Sequence, residues 1–116
     1  MTRPMTGLAT ALLLALACAI GCGSDGPLGE CPPNSQGQQD LGESIVFITC
    51  TGCHVSTLEG AARQGAPVGS DFDDLELIKA QAEDMYARSI DGTMPPGGGL
   101  NEAQLESLRI YLTCLP

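Results

Sequence analysis

Tryptophan is absent, and two Phe and two Tyr are all the aromatic residues this 116-residue chain has. A core with so little aromatic surface needs a crosslink, a metal or a bound group to complete it. Basic residues are also scarce: 5 Lys and Arg against 14 Asp and Glu give a formal net charge of −9. With no basic face to neutralise phosphates, nucleic-acid binding is excluded. A charged partner should itself be basic. The longest apolar run, Leu8 to Ile20, is 13 residues with Thr10 inside it, and a membrane-spanning helix needs about 20. A single histidine and no carboxylate dyad or nucleophile–base pair leave little for hydrolytic or peroxidase chemistry. No stretch alternates polar and apolar residues for long, so the folded part is expected to be all-α.

What is present begins with an export segment. Arg3 precedes the apolar run with no acid ahead of it, the pattern of a secretory signal over residues 1–21. Cys22, preceded by Ala19-Ile20-Gly21 and followed by Gly23-Ser24-Asp25, resembles the lipobox of bacterial lipoproteins. The resemblance implies lipidation of Cys22 and a membrane anchor with no spanning helix, in the periplasm or cell envelope. Cys18, after Ala15-Leu16-Ala17, is the rival site, and ordinary signal cleavage would remove both cysteines. Residues 22–39 are rich in Gly, Pro, Ser, Gln and Asn and are expected to form a flexible tether. The domain proper is then 40–116.

Three helices are expected in it. Asp40 and Glu43 have capping-box spacing, and Leu41, Ile45 and Ile48 fall on one face of a helix over about 41–49. Asp71 or Asp73 can cap a second, with Leu75, Ile78, Ala82, Met85 and Ile90 as its apolar stripe. Asn101 with Gln104 can cap a third over about 102–114, burying Leu105, Leu108 and Leu112.

The chemistry concentrates at Cys50-Thr51-Gly52-Cys53-His54. This is the C-x-x-C-H pattern of covalent haem attachment, in which two thiols add to the porphyrin vinyl groups and the following imidazole binds iron. A C-x-x-C redox pair would want a βαβ context, and a zinc site would want further His or Cys nearby. With the cofactor in place, a chain poor in Phe and Trp gains the flat apolar centre it lacks.

From about Asp40 to Cys114 the sequence resembles the class I cytochrome c family. The resemblance implies a domain of three or more short helices around one covalent haem c. It also implies that Met94, in Met94-Pro95-Pro96 and 40 residues after His54, is the sixth iron ligand; an ordinary loop residue there, leaving iron five-coordinate or bound by water or Lys79, is the alternative. Pro67, 13 residues after His54, would offer its carbonyl to the other ring nitrogen of the imidazole. Gly42 and Tyr111 would mark the crossing of the first and last helices. Met85 is expected in the core, and Arg63 either exposed or paired with a haem propionate.

Cys31 and Cys114 remain. A bond between them would close a loop worth about 4 kcal/mol in the chain-entropy model; two free thiols or intermolecular bridges are the alternatives. Iron with both axial positions filled by His54 and Met94 points to one-electron transfer with a basic redox partner rather than to an enzyme. A haem-based sensor with a displaceable Met94, or a disulfide-stapled surface lipoprotein without haem, are the other functions compatible with the sequence. The oligomeric state is not legible in it.

Overall fold

The computed structural model describes residues 26–116. The signal segment 1–21, its Cys18, and the lipidation candidate Cys22 lie outside the described residues. Among those described there are three α-helices and no strand: α1 (Gln36–Ile45), α2 (Leu75–Ile90) and α3 (Glu102–Thr113). A π-helical turn over Val46–Cys50 prolongs α1, and a 3₁₀ turn occupies Gly60–Arg63. No helix among the described residues is long and apolar enough to cross a membrane.

The helix starts follow from local capping, to different degrees. At α3 the Asn101 side chain accepts from the Gln104 N–H and the Gln104 side chain accepts from the Asn101 N–H, a complete capping box. At α2 the cap is Asp74, whose carboxylate accepts from the Glu76 and Leu77 amides. Asp71 and Asp73, the expected caps, are engaged elsewhere: Asp71 with Arg63 and Asp73 with the amide and hydroxyl of Ser56. These two bonds from Ser56 hold the Asp73 carboxyl below the usual carboxylate range. The first helix begins five residues earlier than the Asp40–Glu43 pattern predicts, at Gln36, with buried Ser35 as its N-cap residue. Asp40 instead accepts from the Gln36 side chain one turn before it.

The segment expected to be a tether is therefore structured from residue 26 onward. Leu28 packs against the core, and its carbonyl accepts from the Arg109 guanidinium and the Thr113 hydroxyl of α3. Cys31 is joined to Cys114 by a disulfide, 83 positions apart in sequence. Polar composition predicts a loose chain only where nothing anchors its backbone, and the contacts at Leu28 and Cys31 anchor this one.

The core is Val46, Ile78, Ala82, Met85, Leu108 and Leu112. Helix α2 buries Ile78, Ala82, Met85 and Ser89, a stripe at helical spacing, while Leu75 and Ile90 at its ends are exposed. The buried Ser89 hydroxyl donates to the Met85 carbonyl, which satisfies it. Helix α3 buries Leu108 and Leu112, and also Ile110, while Leu105 is half-buried.

Helix α1 is rotated from the face its periodicity predicts. Leu41 and Ile48 are exposed, and the buried positions are Gly42 and Val46. The cause is the crossing with α3. A Cβ built at Gly42 would collide with the Ser107 carbonyl oxygen and the Tyr111 Cβ, so the two backbones touch where only glycine fits. Backbone contact at Gly42 outweighs the burial of two aliphatic side chains, because helix packing follows the closest approach of the axes.

Gly42→Ala is expected to cost about 2 kcal/mol or more, since the atom it meets is backbone and cannot swing away. Gly37→Ala, on the same helix with open space around it, is expected to raise stability by about 0.5–1 kcal/mol. Thermal or urea unfolding of the two variants checks both signs.

Candidate haem-binding site

The segment after α1 leaves helical geometry in steps. The Thr51 amide donates to the Val46 carbonyl, a five-residue closure that widens the last turn. The Cys53 and His54 amides then both donate to the Cys50 carbonyl, coiling Cys50-Thr51-Gly52-Cys53-His54 into one tight turn. Cys50 and Cys53 are free thiols, both half-buried. Burial pushes the Cys50 thiol up to about 11. A reactive redox thiol is instead one whose thiolate is favoured by its surroundings.

His54 is held on two sides. Its ring stacks on Phe72 with centroids 4.6 Å apart and planes 15° from parallel. Its Nδ1 lies 3.0 Å from the Ser70 carbonyl oxygen. A carbonyl only accepts, so Nδ1 carries the proton and the lone pair sits on Nε2. The Phe72 amide closes the arrangement by donating to the His54 carbonyl at 2.8 Å.

The partner expected for Nδ1 was Pro67, and here the structure differs. The Pro67 carbonyl accepts from Arg63 Nη2 at 2.6 Å and from the Ser70 amide at 3.1 Å. That second bond turns the chain so that Ser70, three residues further on, presents its own carbonyl to the imidazole.

Arg63 is neither exposed nor free for an anionic group. It is 4% exposed and spends its donors inside the loop, on the carbonyls of Ala66, Val55, Leu58 and Pro67 and on the Asp71 carboxylate. The loop between His54 and α2 has no regular ladder to pair its carbonyls, and a planar fork of five donors does the task instead. Nothing local in the sequence announces this role; the one hint is an acid, Asp71, eight residues after a solitary arginine in a glycine-bearing loop.

A cavity of about 380 Å³ opens in front of these groups. Cys50, Cys53 and His54 line one side, and Met94 and Pro95 reach it from the loop between α2 and α3. Pro67, Ser70 and Phe72 also line it, as do Met85, Leu100 and Leu108. Met85 thus faces the cavity as well as the core. Met94 is placed by its amide, which donates to the Arg88 carbonyl at the end of α2. Lys79 borders a different groove with Leu28 and Leu115 and pairs with Glu76 at 2.9 Å.

Two thiols, an imidazole with an available Nε2 lone pair and a thioether, gathered around one largely apolar cavity, form a donor set that suits a haem attached through both sulfurs. Among the described residues no group of three or more His, Cys, Asp or Glu is gathered as a metal site. No protein-family model, curated protein or solved structure matches this chain.

Two outcomes follow. Arg63→Met is expected to cost about 3–5 kcal/mol, because it leaves the Asp71 carboxylate without its counter-charge; Arg63→Lys, with the charge but fewer donors, should fall between, and chemical unfolding ranks the three. In the haem-free chain, Cys50 should alkylate at pH 8 about a hundredfold more slowly than an unhindered thiol, since its thiolate fraction is that much smaller. Its rate should climb between pH 9 and 11, read by peptide mass spectrometry.

Proposed function

We propose that this chain is a one-electron carrier with a cytochrome c-like domain, holding one haem c through thioether bonds at Cys50 and Cys53. The observation that carries the reading is the single cavity lined at once by both free thiols, His54 and Met94. The bound haem would supply a one-electron ferric/ferrous couple.

The residues' own tasks follow from their places. His54 would hold the iron through Nε2, because Nδ1 is already committed to the Ser70 carbonyl. Phe72 keeps the imidazole plane from turning. Met94, reaching the cavity from the α2–α3 loop, would serve as the second protein ligand, and a soft thioether there would favour the ferrous state. Leu100, Leu108 and Met85 exclude water, which limits the solvent rearrangement accompanying each electron. If His54 and Met94 both held the iron, the chain would keep no position on it for a substrate.

The partner is a redox protein with a basic docking face, steered by the acidic surface of this chain. Export and lipid anchoring through Cys22 place the domain at a membrane surface in the periplasm or cell envelope, an oxidising setting in which the Cys31–Cys114 bond persists.

A visible spectrum of protein made in a haem-attaching host tests this. The ferric wild type should carry a far-red methionine–iron band, and Met94→Ala should lose it while keeping its covalent pigment. A band that survives in Met94→Ala overturns the ligation. A colourless wild type overturns the function, in favour of a disulfide-stapled lipoprotein. Rapid carbon monoxide binding by the reduced wild type would point to a sensor with a displaceable methionine.

A further inference from the structure

We propose that Gln81 is the positioning residue for His54, acting through Ser70, and that its grip sets the donor strength of the imidazole and so the balance between ferric and ferrous iron. The iron half of this inference rests on the haem reading above.

Gln81 stands in the middle of α2, a rigid element, and holds the neighbouring loop with both ends of its amide. Its Nε2 donates to the Gly69 carbonyl at 2.9 Å, and its Oε1 accepts from the Ser70 hydroxyl at 2.9 Å. Ser70 in turn receives the His54 Nδ1 proton on its carbonyl at 3.0 Å. The corner is a demanding one. Gly69 has φ +92°, which L side chains rarely adopt, so the direction of the following carbonyl is not imposed by ordinary backbone preference. Arg63 ties the loop on either side, at Pro67 and Asp71. Gln81 provides the side-chain contact to Ser70 itself, so one α2 residue connects the helix to the imidazole through three hydrogen bonds.

The chemical consequence has a sign. A carbonyl that holds the Nδ1 proton increases electron density on the ring, strengthens Nε2 as a ligand and favours the ferric state. Loosening that carbonyl should favour the ferrous state and raise the reduction potential. Gln81 also borders the cavity, so its loss could move the potential through polarity alone. A readout on the hydrogen bond itself separates the two causes.

The experiment compares holoprotein of wild type, Gln81→Leu and Ser70→Ala by redox titration and by the solvent exchange of the His54 Nδ1 proton in NMR spectra. Gln81→Leu is expected to speed exchange tenfold or more and to shift the ferric/ferrous equilibrium toward ferrous iron by threefold or more; a full tenfold shift corresponds to about 59 mV for one electron. Ser70→Ala keeps the carbonyl and loses only the hydroxyl, so it should change both quantities in the same direction by less. Unchanged Nδ1 proton exchange in Gln81→Leu overturns the inference whatever the potential does, and faster exchange with an unmoved potential overturns it as well. If Gln81→Leu does not fold, Ser70→Ala decides on the same criteria. A wild type without covalent haem is the separate failure of the haem reading; the exchange comparison then runs on the haem-free chain, and unchanged exchange there overturns the grip of Gln81.

Discussion

Where α1 crosses α3, the backbone of Gly42 lies against the Ser107 carbonyl and the Tyr111 Cβ, and the rest of the domain is laid out from that contact. It fixes which face of α1 is inward, and hence where the chain emerges at Cys50. Val46, one turn beyond Gly42, enters the core with Leu108 and Leu112. The π-helical turn then delivers Cys50, Cys53 and His54 to the cavity. Interleaved with that crossing, on the C-terminal half of α3, the Cys31–Cys114 bond and the hydrogen bonds from Arg109 and Thr113 to the Leu28 carbonyl hold the segment around Leu28 and Cys31 against the same helix. A chain with two Phe and two Tyr is thereby closed by backbone contact and a crosslink, without large aromatic layers.

The long loop between His54 and α2 is organised by a different means. Its carbonyls have no helix or sheet to pair with, so a buried guanidinium and one amide side chain take over the pairing. Arg63 gathers four carbonyls and the Asp71 carboxylate, and Gln81 holds the Gly69–Ser70 corner. The outcome is that His54 already has its proton on Nδ1 and its ring plane set against Phe72 before any ligand reaches Nε2. Preorganisation of this sort lowers the cost of binding a metal centre in one orientation.

The features legible in the sequence are those written within a few residues. The Asn101–Gln104 box reads directly because both partners lie in one turn. The Cys50–His54 turn is local as well, closed by the Cys53 and His54 amides on the Cys50 carbonyl. The middle of the α2 stripe, Ile78 to Met85, follows from helical period. What escaped is non-local. Periodicity gave α1 a face through Leu41 and Ile48, yet the position of Tyr111 on another helix decides that Gly42 faces inward. Composition points to a tether over 22–39, yet Arg109 and Cys114, some 80 residues away, anchor Leu28 and Cys31 within it. Pro67 stood at a plausible distance for the His54 proton, but a solitary arginine claimed its carbonyl and Ser70 took the part. The roles of Arg63, Ser70, Phe72 and Gln81 all depend on loop geometry that no pattern in the sequence encodes.

The central claim is that Cys50 and Cys53 carry one porphyrin in covalent linkage. Intact-protein mass spectrometry under denaturing and reducing conditions tests it most directly, on chain produced where haem attachment operates. The account predicts the polypeptide plus the mass of one haem, and the bare polypeptide when both cysteines are replaced by serine. A wild-type chain that shows only the bare polypeptide mass would contradict it.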